Sequence, residues 1–294
     1  MKIRLGTRGS RLAMVQSELV ARRLRDADHE VELVPIVTEG DVRPIDMSPG
    51  EGVFVAAIAR ALIANDIDIA VHSAKDVPLE EDPELVIAAY PERADPCDVL
   101  ITRIGGASLE ALPRGATVGT DSPRRAGFMR AARPDLVVVP LHGNVETRLQ
   151  RLDGGEVDAL VLAAAGIDRL GRSERIDQRL DPRLVTPAPG QGALAIQARR
   201  SDIELLRWLA SYDLGSVRLA VETEREVLRA TGGTCRAPVG ALAHVNGDAF
   251  SLLVAGVNSD GTGKRVERVD GAGTDAMELA AGAGRRLLAA VALT

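Results

Sequence analysis

The 294-residue chain carries a formal net charge of −6, and only 2% of its residues are aromatic. An acidic chain with so few rings lacks the basic footprint of a nucleic-acid binder and the aromatic platforms on which bases stack. At roughly 100–200 residues per domain the length suggests two or three domains, and a hydrophobic fraction of 46% fits globular cores built from Val, Leu, Ile and Ala.

The first two-thirds of the chain alternate strand and helix signals. Residues 2–6 read as a short apolar strand. Ser10 is placed to cap a helix whose apolar residues Leu12, Val15, Leu19 and Leu24 keep roughly helical spacing. A strand is expected at 31–38, a polar loop at 39–52, a helix at 53–64 and a buried strand at 67–73. Alternation restarts near residue 98, with strands expected at 116–119, 136–141 and 158–163 and helices beginning near Ser122 and Asn144. The segment TPAPGQGALAIQA (186–198) reads as a crossing between domains, with Pro and Gly at one end and a strand at the other. Two helical stretches follow residue 202. Strands at 238–245, 250–257 and 264–269 alternate like an antiparallel sheet, and a helix at about 274–290 closes the pattern. The expected architecture is α/β alternation followed by a small α+β unit.

Several strand ends carry chemistry. VHSAKDVP (71–78) presents His72, Ser73, Lys75 and Asp76 in succession, where open α/β sheets place ligands. Asp76 could move a proton and Lys75 could bind an anion, although a polar loop capped by Pro78 would use the same residues. In GTDSPRRA (119–126), Ser122 caps a helix with Pro123 at its first position, and Arg124 and Arg125 sit in the opening turn. The helix dipole makes that turn a poor place for cations, so two arginines there ask for an anion between them. Arg148 follows a cap at Asn144, and AAGIDRLG (164–171) supplies Arg169. Lysine occurs only at Lys2, Lys75 and Lys264, so arginine, with its bidentate fork, carries nearly all the positive charge.

The two cysteines, Cys97 and Cys235, show no zinc spacing, and a disulfide between them has no support in the sequence. Cys235 lies in the Gly-rich stretch GGTCRAPVGA (232–241) beside Arg236, a setting suited to a reactive thiolate, whereas Cys97 in DPCDVL is expected to be a free structural thiol. The first residues lack an apolar signal core, and the most apolar stretch, 159–167, is too short for a bilayer; a cytoplasmic protein without membrane or nucleic-acid partners is expected.

Taken together, TRGSRLAMVQ (7–16), VELVPIVTEGD (31–41), DIAVHSAKDVP (68–78), VGTDSPRRA (118–126), HGNVETRLQRLDGGEVDALVLAAAGIDRLG (142–171), PGQGALAIQAR (189–199) and TCRAPVGA (234–241) resemble the hydroxymethylbilane synthase (porphobilinogen deaminase) family. The resemblance runs over nearly the whole chain. It implies two doubly wound α/β lobes resembling type II periplasmic binding proteins, with the active cleft between them. Their expected limits are 1–92 with 193–210 for the first lobe and 98–186 for the second, and a small α+β cofactor-bearing domain at 215–294 completes the chain. It implies a monomer that polymerises porphobilinogen on a dipyrromethane cofactor in thioether linkage to Cys235, with Asp76 as the catalytic carboxylate. It assigns Ser73, Lys75, Thr120, Asp121, Ser122, Arg124 and Arg125 to the cofactor, and Arg8, Ser10, His142, Arg148 and Arg169 to substrate carboxylates. Three positions depart from the family pattern. Glu51 stands in a shortened loop 41–52 where lysine is usual, His142 where arginine is usual, and Thr234 where glycine is usual. A histidine, unlike an arginine, changes charge between pH 5 and 8. Competing expectations are a two-lobed anion-binding protein without catalysis, which would not need Asp76 or Cys235, and a degenerate synthase with slow turnover.

Overall fold

The computed structural model describes residues 1–38, 55–80, 82–233 and 237–291. In chain order the elements begin with β1 (Lys2–Arg8), α1 (Arg11–Asp26), β2 (Glu30–Ile36), α2 (Ala56–Ile63), β3 (Ile69–Ser73) and β4 (Leu85–Ala89). Next come β5 (Asp98–Thr102), β6 (Thr117–Gly119), α3 (Pro123–Ala132), β7 (Val137–Val139), α4 (Val145–Asp153), β8 (Ala159–Ala163), α5 (Ala164–Arg169) and β9 (Gln178–Arg179). The last are β10 (Leu194–Arg199), α6 (Ile203–Leu209), α7 (Gly215–Ala230), β11 (Val239–Asn246), β12 (Ala249–Gly256), β13 (Arg265–Ala272) and α8 (Ala276–Ala290). Among the described residues no helix is long and apolar enough to cross a membrane.

The chain divides into two compact units, Met1–Arg93 with Ala193–Arg218, and Ala94–Gly192 with Leu219–Thr294. The first holds a five-stranded sheet in the order β2-β1-β3-β10-β4. β2, β1 and β3 run parallel, and β10 returns antiparallel between β3 and β4. Its core joins Ile3, Leu5, Ile69, Val71 and Ile196 of the sheet to Val20, Ala21 and Leu24 of α1. The apolar face expected of α1 is therefore shifted. Leu19 is exposed, while Gln16 and Ser17 are buried with Val20, Ala21 and Leu24.

The second unit repeats the plan in the order β7-β6-β8-β5-β9, with β7, β6 and β8 parallel and β5 antiparallel to β8 and β9. The same unit contains the antiparallel meander β11-β12-β13, on which α8 buries Ala280, Ala283 and Leu287. Each parallel trio has a switch point, between β1 and β3 and between β6 and β8, because the chain leaves the first strand toward opposite sides of the sheet. Open α/β sheets bind ligands in such crevices, outside the strands' carboxyl ends. Within the second unit, Gly192 ends the Pro-Gly-Gln-Gly segment at φ +87°, and a Cβ there would stand 2.5 Å from the Ala94 carbonyl oxygen, so only glycine fits.

Candidate active site

In the first unit, β1 and β3 deliver their polar ends side by side. Arg8 closes β1, and Ser10 caps α1 by accepting a hydrogen bond from the Ala13 amide at 3.4 Å. β3 ends at Ser73, and one 3-10 turn, Ala74–Asp76, follows; the Ala74 amide donates to the Ala193 carbonyl at 3.0 Å and fixes where the turn starts. A pocket is lined by Arg8, Ser10, Gln16, His72, Ser73 and Asp76 among others. Asp76 is exposed and Lys75 half-buried. Gln16, which the sequence motifs did not single out, donates to Ser73 Oγ at 3.2 Å. The pocket thus combines a cation, hydroxyls and a water-accessible carboxylate, a set able to hold an anionic ligand and move a proton beside it.

In the second unit, Ser122 caps α3 with Pro123 at the first position, and its Oγ accepts from the Arg125 amide at 3.4 Å. Thr120, buried behind it, accepts from the Ser122 amide at 3.3 Å. Arg124 and Arg125 are buried, and the anion their position demanded comes from the chain itself. Asp98, the fully buried first residue of β5, lies 2.7 Å from Arg124 Nη2 and 2.8 Å from Arg125 Nη2. Gln191 completes the cluster, donating to Asp98 Oδ1 at 3.0 Å and accepting from Arg125 at 3.2 Å, while Arg124 also donates to the Thr186 carbonyl. Burial alone would raise the Asp98 carboxyl, but the two guanidiniums hold it below the usual carboxylate range. Sequence reading missed Asp98 and Gln191. The only local signal for Asp98 is a charged residue opening the otherwise apolar strand DVLIT.

His142 follows β7, and its Nδ1 lies 2.7 Å from Asp121 Oδ1, with both side chains mostly buried. The position therefore meets an internal carboxylate as well as the arginines of its neighbourhood. Arg148, on α4, donates from Nε to the Gly143 carbonyl at 2.7 Å. Burial, followed by repulsion from Arg125, lowers its pKa to about 10. Arg169, at the end of α5, donates to the Gly192 carbonyl at 2.7 Å, and burial likewise lowers it to about 10. Neither arginine forms an ion pair among the described residues. Arg169 is stripped of water with no carboxylate acting on it, and Arg148 feels only the nearby Asp121, so both favour an arriving carboxylate and fit a ligand bearing acetate and propionate groups.

Burial and then the neighbouring Asp95 push the Cys97 thiol up to about 12, which keeps it protonated at neutral pH and inert as a nucleophile. Cys235, Thr234 and Glu51, with the loop 41–52, lie outside the described residues.

Two family models match the chain. "Porphobilinogen deaminase, dipyromethane cofactor binding domain" covers residues 3–207, and "Porphobilinogen deaminase, C-terminal domain" covers residues 218–289. A curated relative named porphobilinogen deaminase from Acidothermus cellulolyticus is 47% identical over 294 residues, spanning 98% of this chain and 87% of the relative. Relatives of the same name from a Roseiflexus species and from Xanthomonas oryzae pv. oryzae are 46% and 48% identical, covering 89% and 88% of this chain and 87% of each relative. Among solved structures, the second substrate-binding domain of a putative amino acid ABC transporter from Streptococcus pneumoniae shares 15% identity at a TM-score of 0.47, over 79% of this chain and 95% of that one, a likeness too distant to bear on function. The two models and the relatives agree from one end of the match to the other: the chain belongs to the porphobilinogen deaminase family.

Proposed function

We propose that this chain is a hydroxymethylbilane synthase, a transferase that joins four porphobilinogen units head to tail in tetrapyrrole biosynthesis and frees the linear tetrapyrrole by hydrolysis. The observation that carries this reading is the match of both family models over residues 3–207 and 218–289. The three sheets support a three-domain division at 1–92 with 193–210, 98–186 and 215–294.

In each coupling a carbon–carbon bond forms between the free α-carbon of the terminal pyrrole and the aminomethyl carbon of the incoming unit. The carbon–nitrogen bond of that aminomethyl group breaks, and the hydrogen displaced from the α-carbon leaves with the amine as ammonia. Asp76, exposed beside its pocket, is placed to pass that proton and to offset the positive charge that builds on the incoming pyrrole as the amine departs. Arg8, Ser10, His142, Arg148 and Arg169 take the carboxylates of substrate and growing chain. Ser73, Lys75, Thr120, Asp121, Ser122, Arg124 and Arg125 hold the dipyrromethane, which is linked through a thioether to Cys235. When bound, that group supplies the pyrrole α-carbon from which growth starts. Asp98 balances one of the two charges of Arg124 and Arg125, and the remainder stays positive at the start of α3.

Turnover of porphobilinogen by the purified protein tests the reading. Asp76→Asn keeps the shape and removes the proton-transfer group, so turnover falls by about a hundredfold to ten-thousandfold with an unchanged melting temperature. Near-normal turnover in that variant refutes the role of Asp76. Intact mass separates the cysteines: the adduct persists in Cys97→Ser and disappears in Cys235→Ser, and an adduct of equal yield on both rejects the linkage.

A further inference from the structure

His72 is a further polar group in the first unit's pocket, and the chemistry above gives it no part. It is the fourth residue of β3, pairs with Ala195 of β10, and is only 5% exposed. Its Nε2 lies 3.2 Å from Oε1 of Gln197, a side chain that is itself buried on β10. A carboxamide oxygen accepts, so Nε2 carries the hydrogen. Burial lowers the imidazole to about 4, which keeps the ring neutral at physiological pH. The lone pair then sits on Nδ1. That atom has no hydrogen-bond partner among the described residues, yet it is not one of the sealed, unpartnered polar atoms of the interior. The residue lines the same pocket as Arg8, Ser10 and Asp76.

We infer that His72 contacts the ligand directly, its Nδ1 accepting a hydrogen bond from an uncharged ring N–H, and that Gln197 is a positioning residue that fixes the tautomer. The identity of that ligand as a pyrrole rests on the function proposed above. The division of labour is chemical. A neutral acceptor reads an N–H without adding negative charge against the ligand's carboxylates, whereas Asp76 is free to answer positive charge. Gln197 reaches this point because β10 is threaded antiparallel beside β3, far along the chain from the motif that contains His72.

Two substitutions separate contact from bracing. An asparagine Oδ1 falls near the place of Nδ1, and a glutamine side-chain terminus near that of Nε2. His72→Asn keeps the acceptor and gives up Gln197; His72→Gln keeps a partner for Gln197 and gives up the acceptor. The KM for porphobilinogen rises about threefold to tenfold in His72→Gln, the size of one lost hydrogen bond, with kcat nearly unchanged, and stays within about twofold of wild type in His72→Asn. A histidine that only braces β3 against β10 gives the reverse order, and that order, or equal KM values in all three proteins, overturns the inference. Nitrogen-15 NMR of the imidazole gives a reading that does not depend on how the His72 variants fold. In the unliganded protein Nδ1 is the unprotonated nitrogen, and its resonance moves toward the protonated type when porphobilinogen is added to Asp76→Asn. A proton on Nδ1, or a resonance unmoved by ligand, sinks the proposal. Absence of turnover in the wild type would instead sink the assigned function and leave the tautomer result standing.

Discussion

Asp98 loses all contact with water at the head of β5, whereas Asp76 stays exposed on its turn after β3. The first can remain ionised only because Arg124 and Arg125 face it, and the second is accessible to a ligand and to protons. Removing the Asp98 charge leaves two buried guanidiniums without their counter-ion, a change that costs about 3–5 kcal/mol. Asp98→Asn therefore unfolds at markedly lower denaturant while Asp76→Asn does not. The acid limb of stability carries the same signature. The folded carboxyl of Asp98 is depressed below its unfolded value, so its contribution is complete above the ordinary carboxylate range and is lost as pH falls through the folded value. In a urea titration the wild type loses this increment of stability below about pH 4, where carboxylates ordinarily titrate, and the Asp98→Asn curve is flatter there. Parallel curves would show that Asp98 is not the ionised centre of this cluster.

Helix starts were legible because capping is local chemistry. Ser10, Ser122 and Asn144 were each placed from the residue itself and the pattern after it, and each accepts an amide hydrogen bond in the structure. Strand limits differ from expectation by up to three residues, as at the end of β13, and β4, β5 and β9 were not expected at all, since pairing partners set strands and the partners lie elsewhere in the chain. The same distance hid the Asp98 cluster. Arg125 lies 27 residues from Asp98 and Gln191 lies 93 residues away, so neither local propensity nor periodicity joins them. The insertion of β10 between β3 and β4, which supplies Gln197 to His72, was unreadable for the same reason. Caps also bear on function. Asn144 Oδ1 accepts from the Thr147 amide at 2.9 Å and from its hydroxyl at 3.0 Å, and Arg148 follows within the next turn. Asn144→Ala costs about 1 kcal/mol as the first turn of α4 frays. Because Arg148 is anchored to Gly143 just ahead of that cap, the KM for porphobilinogen rises with kcat retained. An unchanged KM alongside a lowered melting temperature would separate the cap from the binding of substrate.

At the scale of the molecule, three sheets resolve into two compact units because the C-terminal meander shares a core with the second α/β sheet. Ala255 and Val257 pack in one cluster with Val118, Phe128 and Val161. Gly240 of β11 passes so close to Thr186 that a Cβ would stand 2.4 Å from its carbonyl oxygen, and the next residue, Ala241, donates to the Pro187 carbonyl at 2.9 Å. A side-chain fastener of this seam is Glu224 on α7, which is fully buried. Its Oε2 accepts from the Gly190 amide at 2.7 Å and its Oε1 from the Ala243 amide at 2.8 Å, so one side chain ties the crossing segment to β11. Both contacts require acceptors, and a carboxylate offers one at each end. A glutamine offers one acceptor and one donor, so Glu224→Gln sets an NH2 group against a backbone N–H and leaves that buried amide unsatisfied, at a cost of about 1–3 kcal/mol. Gly190 precedes Gln191, whose side chain reaches Asp98, so loosening at Gly190 propagates to the arginine cluster. Glu224→Gln is expected to unfold at lower denaturant concentration than wild type and to exchange the amide hydrogen of Gly190 or Ala243 faster under native conditions. Wild-type stability together with wild-type protection of both amides would show that the Glu224 carboxylate does not hold the seam.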